Sequence, residues 1–581
     1  MRLMTRMLAL ALAGAMLAGC GHKDENAPLA FVPADTPYVS ANLKPMEADA
    51  RHALLVQVDA QLPAQLAQLN DAADRLAARD PEAANLLHAL AASFQDDTVE
   101  GFARNAGIDL GGRFAFYGLG LSPVARFELS DPKAFDAFVA RLETAYGRKF
   151  DQAEIGGQAY RKAAAGDDGV ELVVATVRKQ GVLALLPADP APGLLRQALG
   201  LDRPARSLQD SGALADLAKA KGYQPWWIGE IDLQRLLPLA ASGKDPLFTA
   251  LFQAGARRES AKTGEPLAHL TQIPPSCPAD AARIAARVPR LSFGYTRLDA
   301  GHQDGRFDVA LASDIAQAFA GLKAEVPGLG AEADAPFELS LAVPMDAARR
   351  FWQAQVDAVA AKPFACPALA DLNQGFASLG ETLQKAAIPP FGDLVGLHLA
   401  LDDFAAAPGR AIPRLKGLLV IASRNPAGLF GMAQMGLPGL AQARVPANGQ
   451  PAALPASLTQ ALGEPAWAAM NGKALAVAVG AGEDARLAAA LVAPAGDAGR
   501  LLRMHLDGGM YVAWVNAMVQ KIESLPAPAA SSPDAPGAGQ LNALKARFAA
   551  LQRQAGRVRD IRAEAHMDGD GLTITNQTTL K

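Results

Sequence analysis

The stretch "ADTPYVSANLKPMEA" at Ala34–Ala48 returns without a gap as "ADAPFELSLAVPMDA" at Ala333–Ala347. A chain that begins twice is constrained by that recurrence, because its later elements should then follow one plan in two copies. Ala34, Asp35, Pro37, Pro45, Met46 and Ala48 recur as Ala333, Asp334, Pro336, Pro344, Met345 and Ala347. Tyr38 becomes Phe337 and Glu47 becomes Asp346, both conservative exchanges.

The later elements keep one order. Helical segments over Pro45–Arg104 and Met345–Ala387 are followed by the apolar strand candidates "GRFAFYGLGL" (Gly112–Leu121) and "GDLVGLHLAL" (Gly392–Leu401). Next come "VARFELSDP", ending on Asp131-Pro132, and "GLLVIASRNP", ending on Asn425-Pro426. Proline suits the first turn of a helix, and the Asp or Asn before it caps the free amides. Hairpins are predicted over Val170–Leu186 and Ala466–Val479, the second with an Asn471-Gly472 turn. "PWWIGEIDLQRLL" (Pro225–Leu237) then matches "MYVAWVNAMVQKI" (Met510–Ile522), each read as a strand leading into a helix, with Asp232 against Asn516. Each half closes on a hairpin, around Asp304-Gly305 and Asp570-Gly571.

Tight hairpins give antiparallel sheets, and the helices between them bury apolar stripes such as Phe135, Phe138, Val139, Leu142 and Tyr146. The fold class is therefore α+β: a tandem duplication of two related domains, each a mainly antiparallel sheet with helices packed on one face. A chain of 581 residues also exceeds one compact core. The divisions are a signal peptide at 1–19, a lipidated cysteine and tether at 20–30, a first repeat at 31–328 and a second at 329–581. Ala324–Asp334 reads as the junction and Ser524–Gln540 as a flexible loop, in place of which the first half carries Ala256–Cys277.

Met1–Gly19 has the three-part shape of an export signal, with Arg2 and Arg6, an apolar core over Met7–Leu17, then small residues. Its core is shorter than the ~20 residues of a spanning helix. "LAGC" (Leu17–Cys20) resembles the lipobox of bacterial lipoproteins, which implies cleavage before Cys20 and its modification by diacylglycerol and a further acyl chain such as palmitate. Several chains on one residue anchor stably. Gly21 is not the aspartate that retains lipoproteins in the inner membrane, so the outer membrane, facing the periplasm, is the expected site.

The net charge of −4 becomes −6 when Arg2 and Arg6 leave with the signal, which argues against nucleic acid as a partner. With Cys20 acylated, Cys277 and Cys366 remain. An oxidising periplasm favours a disulfide between them, two buried thiols being the alternative.

Chemistry finds little support. Ser130 and Lys133 in "SDPK", with Lys262-Thr263-Gly264, have the spacing of penicillin-recognising enzymes, but the "SDP" turn already accounts for the first pair. "MDGDG" (Met567–Gly571) lacks the remaining ligands of a calcium loop. The doublets Asp96-Asp97 and Asp402-Asp403 read as solvated surface, and His398 in its apolar strand as a sheet histidine. No metal site, cofactor site or catalytic residue is expected, and the protein is read as not an enzyme. Trp226 and Trp227 would point to opposite faces of a strand. With Tyr223, and with Trp514 in the second half, they are the candidates for a binding surface, against a default of core packing.

The mature chain resembles a family of uncharacterised bacterial lipoproteins, a domain of unknown function. The resemblance is carried by the lipobox, "FVPADTPYV" (Phe31–Val39), "FELSDPKAF" (Phe127–Phe135) and the cysteine before "PRLSFGY" (Pro289–Tyr295). It implies an envelope lipoprotein and brings no catalytic residues. The expected function is a non-catalytic binding or scaffolding module held to the membrane by its lipid. The alternative is a carrier or chaperone of lipid or another hydrophobic ligand, and cell-wall hydrolysis is a third reading that needs a polar site. The partner would be an envelope protein or a hydrophobic ligand.

Overall fold

A computed structural model describes residues 24–78, 81–94, 98–164, 169–386, 389–405, 414–523 and 538–581. The signal segment, Cys20, Asp96-Asp97 and most of the Ser524–Gln540 loop lie outside these residues. Helix Ala538–Ala555 takes the last three positions of that loop.

In chain order the strands are β1 (Tyr38–Ala41), β2 (Phe114–Leu119), β3 (Ser122–Glu128), β4 (Asp151–Ile155), β5 (Gln158–Ala164), β6 (Val170–Val177), β7 (Gln180–Pro187), β8 (Ile228–Asp232), β9 (Arg290–Asp299) and β10 (His302–Ala310). The second half supplies β11 (Phe337–Ala342), β12 (Leu394–Ala405), β13 (Arg414–Ser423), β14 (Ala452–Ala453), β15 (Ala466–Met470), β16 (Ala474–Val479), β17 (Arg500–Asp507), β18 (Val558–Met567) and β19 (Gly571–Leu580).

All 19 strands join one antiparallel sheet. The first half runs β4-β5-β6-β7-β3-β2-β1-β8-β9-β10. The second runs β14-β15-β16-β13-β12-β11-β17-β18-β19. From β6 or β15 onward the two orders are the same, position for position. The halves meet where β10 pairs antiparallel with β19, from His302 opposite Thr579 to Ala310 opposite Gly571. The expectation of one sheet per half is thus corrected to a single shared sheet.

Helices on one face only is also corrected. Val173 and Val174 are neighbours in β6, so they point to opposite faces, and both are buried under helices. On the first face Val173 joins Val39, Tyr117, Val182 and Ile228 beneath the segments Pro192–Leu199 and Ala213–Lys221. On the second face Val174 and Phe127 pack against Phe135 and Val139 of helix Pro132–Tyr146. The second half repeats this arrangement. Val420 and the alanines of β16 meet Leu487 on one face, while Leu475 and Met470 meet Phe430 on the other. A sheet whose strands are apolar on both sides must be covered on both sides.

Two local readings also change. Residues 510–522 lie wholly inside helix Gly508–Glu523, and the strand ahead of that helix is β17. Its signal is Leu502, Met504 and Leu506 alternating with Arg503 and His505. The β9–β10 turn falls at Ala300-Gly301, and Asp304-Gly305 sits inside β10 at a register shift. Asp568 does make the last hairpin turn, accepting hydrogen bonds from the amides of Asp570 and Gly571.

Candidate binding surface

Near the centre of the sheet, beside the β10–β19 seam, part of the second face is open. Phe307 of β10 and Ile574 of β19 pair directly across the seam and are 36% and 39% exposed. Phe293 of β9 lies opposite Phe307 on its other side. With Trp227, Tyr295 and Asn576 they line a trough of about 300 Å³ whose surface is almost wholly apolar. Two strands further along the same face, past β9 and β8, Phe116 of β2 is 44% exposed against Tyr38 of β1, with ring centroids 5.8 Å apart.

Sequence details shape this trough. Gly229 of β8 lies directly beneath Phe293, and a Cβ there would come within 2.0 Å of the ring. A glycine at this position is what lets an aromatic ring lie flat on the strand. Trp227 is fixed by its indole N–H, which donates to the Ser40 hydroxyl at 2.8 Å, and its ring stands 6.0 Å from Tyr295. The walls are therefore preset.

The opposite face of the same strands is polar and tightly bonded. Asp308 is buried and accepts hydrogen bonds from Tyr223 (2.6 Å), Arg306 (2.8 Å), Lys221 (3.1 Å) and Thr573 (3.0 Å). Burial by itself would raise this carboxyl, but Arg306, Tyr223 and Lys221 outweigh it and hold the pKa at about 2. Thr573 belongs to β19, so the network pins the two halves together beneath the trough.

Of the four aromatic candidates, only Trp227 lines the trough. Tyr223 is buried on the first face, its hydroxyl on Asp308 and Ser292. Trp226 lies in the turn ahead of β8, so strand alternation does not apply to it, and it packs beside Met46, Ala50 and Leu298. Trp514 is in a helix, against Phe337 and Phe404. Phe293, Phe307 and Ile574 were not singled out in the sequence. Their signal is alternation in "RLSFGY", "GRFDVA" and "GLTITN", where every second residue is apolar.

Cys277 and Cys366 lie at bonding distance, Sγ to Sγ 2.06 Å, and so link the first half to the second. Asp280, one turn on from Cys277, accepts from the amides of Ala365 and Cys366 at 2.6 and 2.9 Å. The remaining motifs have local duties. Asp131 of "SDPK" caps the helix after it through the amides of Lys133 and Ala134. Gly264 ends helix Pro246–Thr263 in a left-handed conformation. Asp402 pairs with Arg486 and Asp403 with Arg414.

One pair has the composition of a catalytic dyad. The Ser340 hydroxyl is 2.8 Å from Nδ1 of His398. Burial first, and the charge of Arg503 second, push this imidazole down to about 4. Ser340 is fully buried, however, and Gly328 is packed so closely on the ring that a Cβ there would stand 2.6 Å from it. The pair has no room for a substrate and works as part of the core. Among the described residues no group of three His, Cys, Asp or Glu side chains is placed to hold a metal. No described helix is long and apolar enough to cross a membrane.

No family model, curated protein or solved structure matches this chain.

Proposed function

We propose that this chain is a bacterial envelope lipoprotein, cut before Cys20, anchored there by acyl chains to the outer membrane and facing the periplasm, and that it acts without catalysis as a binding module. The open aromatic trough is the observation that carries the binding reading. Trp227, Phe293, Phe307 and Ile574 together leave a concave apolar surface open to water beside the seam, and such patches mark interaction sites. The lipobox supports the address. We read the two halves as tandem duplicates, which the matched strand orders and the Ala34–Ala48 recurrence support.

A second reading, carriage of a lipid or another hydrophobic ligand, is favoured by the shape of the same trough. Its ~300 Å³ is at the small end of ligand sites, which are concave and mainly apolar. One test serves both readings. The full chain is purified in a non-ionic detergent, exchanged into a membrane-mimetic disc, and titrated with a fluorescent fatty acid. Saturable binding that is lost in Trp227→Ala supports carriage. Absence of saturable binding rejects it and leaves the trough as a protein-binding surface, to be tested by cross-linking from position 307. The mass of the N-terminal peptide tests the address: an unacylated terminus, or one that does not begin at Cys20, rejects it.

A further inference from the structure

The trough is one part of a longer feature, which follows from the strand register. Residues directly opposite one another in an antiparallel sheet lie on the same face. From Ile574 of β19 the register passes to Phe307 of β10, Phe293 of β9, Gly229 of β8, Ser40 of β1 and Phe116 of β2. This is one unbroken row across six neighbouring strands. It begins and ends on exposed apolar side chains, Ile574 and Phe307 at one end and Phe116 at the other.

The two small members of the row are the ones that aromatic rings reach. The Phe293 ring lies on Gly229, and the Trp227 indole donates to the hydroxyl of Ser40. Ring and hydrocarbon therefore make up nearly all of the row, and its one polar side chain is engaged. The hydroxyl of Tyr38, whose ring meets Phe116, is engaged too, donating to the Leu121 carbonyl at 3.1 Å. The next row on the same face is walled by helices at both ends. Tyr295 in that row packs against Ala50 and Ala53 of helix Ala48–Ala77, and Met504 and Leu339 against Met510 of helix Gly508–Glu523.

A strip about one side chain wide, with almost nothing polar in it, fits an occupant that is long, thin and without polar groups along its length. A peptide laid across the strands would bring backbone N–H and C=O groups that nothing in the row can receive. The paired chains of a diacyl lipid would need two such strips, whereas one unbranched hydrocarbon chain needs one. Beyond Ile574 the register continues through Ala565, Leu502, Leu341 and Leu397, but these side chains are more covered than Ile574, Phe307 and Phe116.

We infer that the row from Ile574 to Phe116 seats a single long-chain fatty acid, its tail lying across the strands and its carboxylate left at the rim of the trough beside Asn576. This rests on the carriage reading of the trough and names its ligand. Five strand spacings of about 4.8 Å give the row a length of about 24 Å. An extended chain covers about 3.5 Å in three bonds. The row therefore takes about twenty bonds, and the trough alone, three spacings from β8 to β19, takes about twelve.

The full chain in membrane-mimetic discs is loaded with a fluorescent fatty acid, which saturated fatty acids of 8 to 20 carbons then displace. Native protein and Phe116→Asp are compared at each length, so that partition into the disc cancels. The two proteins should bind acids of up to about 12 carbons equally. Beyond that length a native advantage should grow to at least about tenfold at 18 carbons, since each buried methylene is worth up to about fourfold. Parallel affinities at every length overturn the assignment and leave carriage in place. Absence of saturable binding of the fluorescent acid to the native protein rejects carriage itself, and the assignment with it. If Phe116→Asp does not fold, Phe116→Ser shortens the row without adding a charge, and parallel affinities in that variant also overturn the assignment.

Discussion

Asp507 holds in the second half the place that Asp232 holds in the first. The amide of Asp232 donates to the carbonyl of Pro37 at 2.8 Å, and that of Asp507 to Pro336 at 2.7 Å. Each carboxylate then caps the helix that follows, Asp232 through the amide of Arg235 and Asp507 through that of Gly509. Removing either cap, as Asp232→Ala or Asp507→Ala, should cost about 1 kcal/mol. Chemical denaturation of the two variants measures this, and a loss in one with none in the other would break the equivalence.

The trough should be separable from stability. Phe307→Asp places a charge on a side chain already 36% exposed, so the denaturation midpoint should change little. Binding of an apolar fluorescent probe should be lost. Retained probe binding would move the interaction surface away from the seam.

Asp308 makes the opposite prediction. Asp308→Ala strands Arg306 and Lys221 beneath the seam, and breaking a buried pair in this way costs about 3 kcal/mol or more. Its carboxyl lies at about 2 in the folded chain against an ordinary 3.8. The stabilisation is therefore complete above pH 3.8 and fades as pH falls toward 2. Urea midpoints at descending pH, compared with the alanine variant, should converge in that window.

His398 acts at milder pH. Its folded value of about 4 lies below the ordinary 6.5, so the unfolded chain takes up the proton first. Stability is fully present above pH 6.5 and declines as pH falls toward 4, by about 3 kcal/mol in total. Replacing His398 with Gln should flatten the profile across this range. An unchanged slope would mean that other groups set it.

Reducing the Cys277–Cys366 link opens a loop of 89 residues. The chain-entropy relation gives about 4 to 5 kcal/mol for a loop of that length. The Cys277→Ser/Cys366→Ser variant should unfold at clearly lower denaturant, and thiol titration of the unfolded native chain should find neither cysteine free.

Much of the architecture could be read from residue patterns, because hairpins, caps and proline starts are local. Asn425 before Pro426 and Asp131 before Pro132 announce their helices, and both side chains do accept from the helix amides. What escaped was non-local or disguised. β17 alternates cleanly, but between Leu502, Met504 and Leu506, of which the last two pack toward the following helix, stand Arg503 and His505, paired with Glu338 and Asp560, so a charged stretch did not suggest a strand. The trough was missed for a related reason. Trp226 and Trp227 drew attention as a pair, whereas the surface is assembled from single aromatic residues on β9 and β10 and an isoleucine on β19, and no local pattern says that these strands are neighbours.

The seam also sets an order of assembly. Strands β1 to β10 are complete in the first 310 residues, yet β10 receives its second neighbour only when β19 arrives, and residues that touch across the seam are 267 apart in sequence. Until then nine backbone positions of β10 stand as an open edge, a template for any strand of matching register. The best-matched strand belongs to another copy of this chain. An emerging molecule is therefore exposed to exchange of its β18–β19 hairpin with a neighbour, and the local concentration of unfinished chains sets how often the partner at the seam is its own.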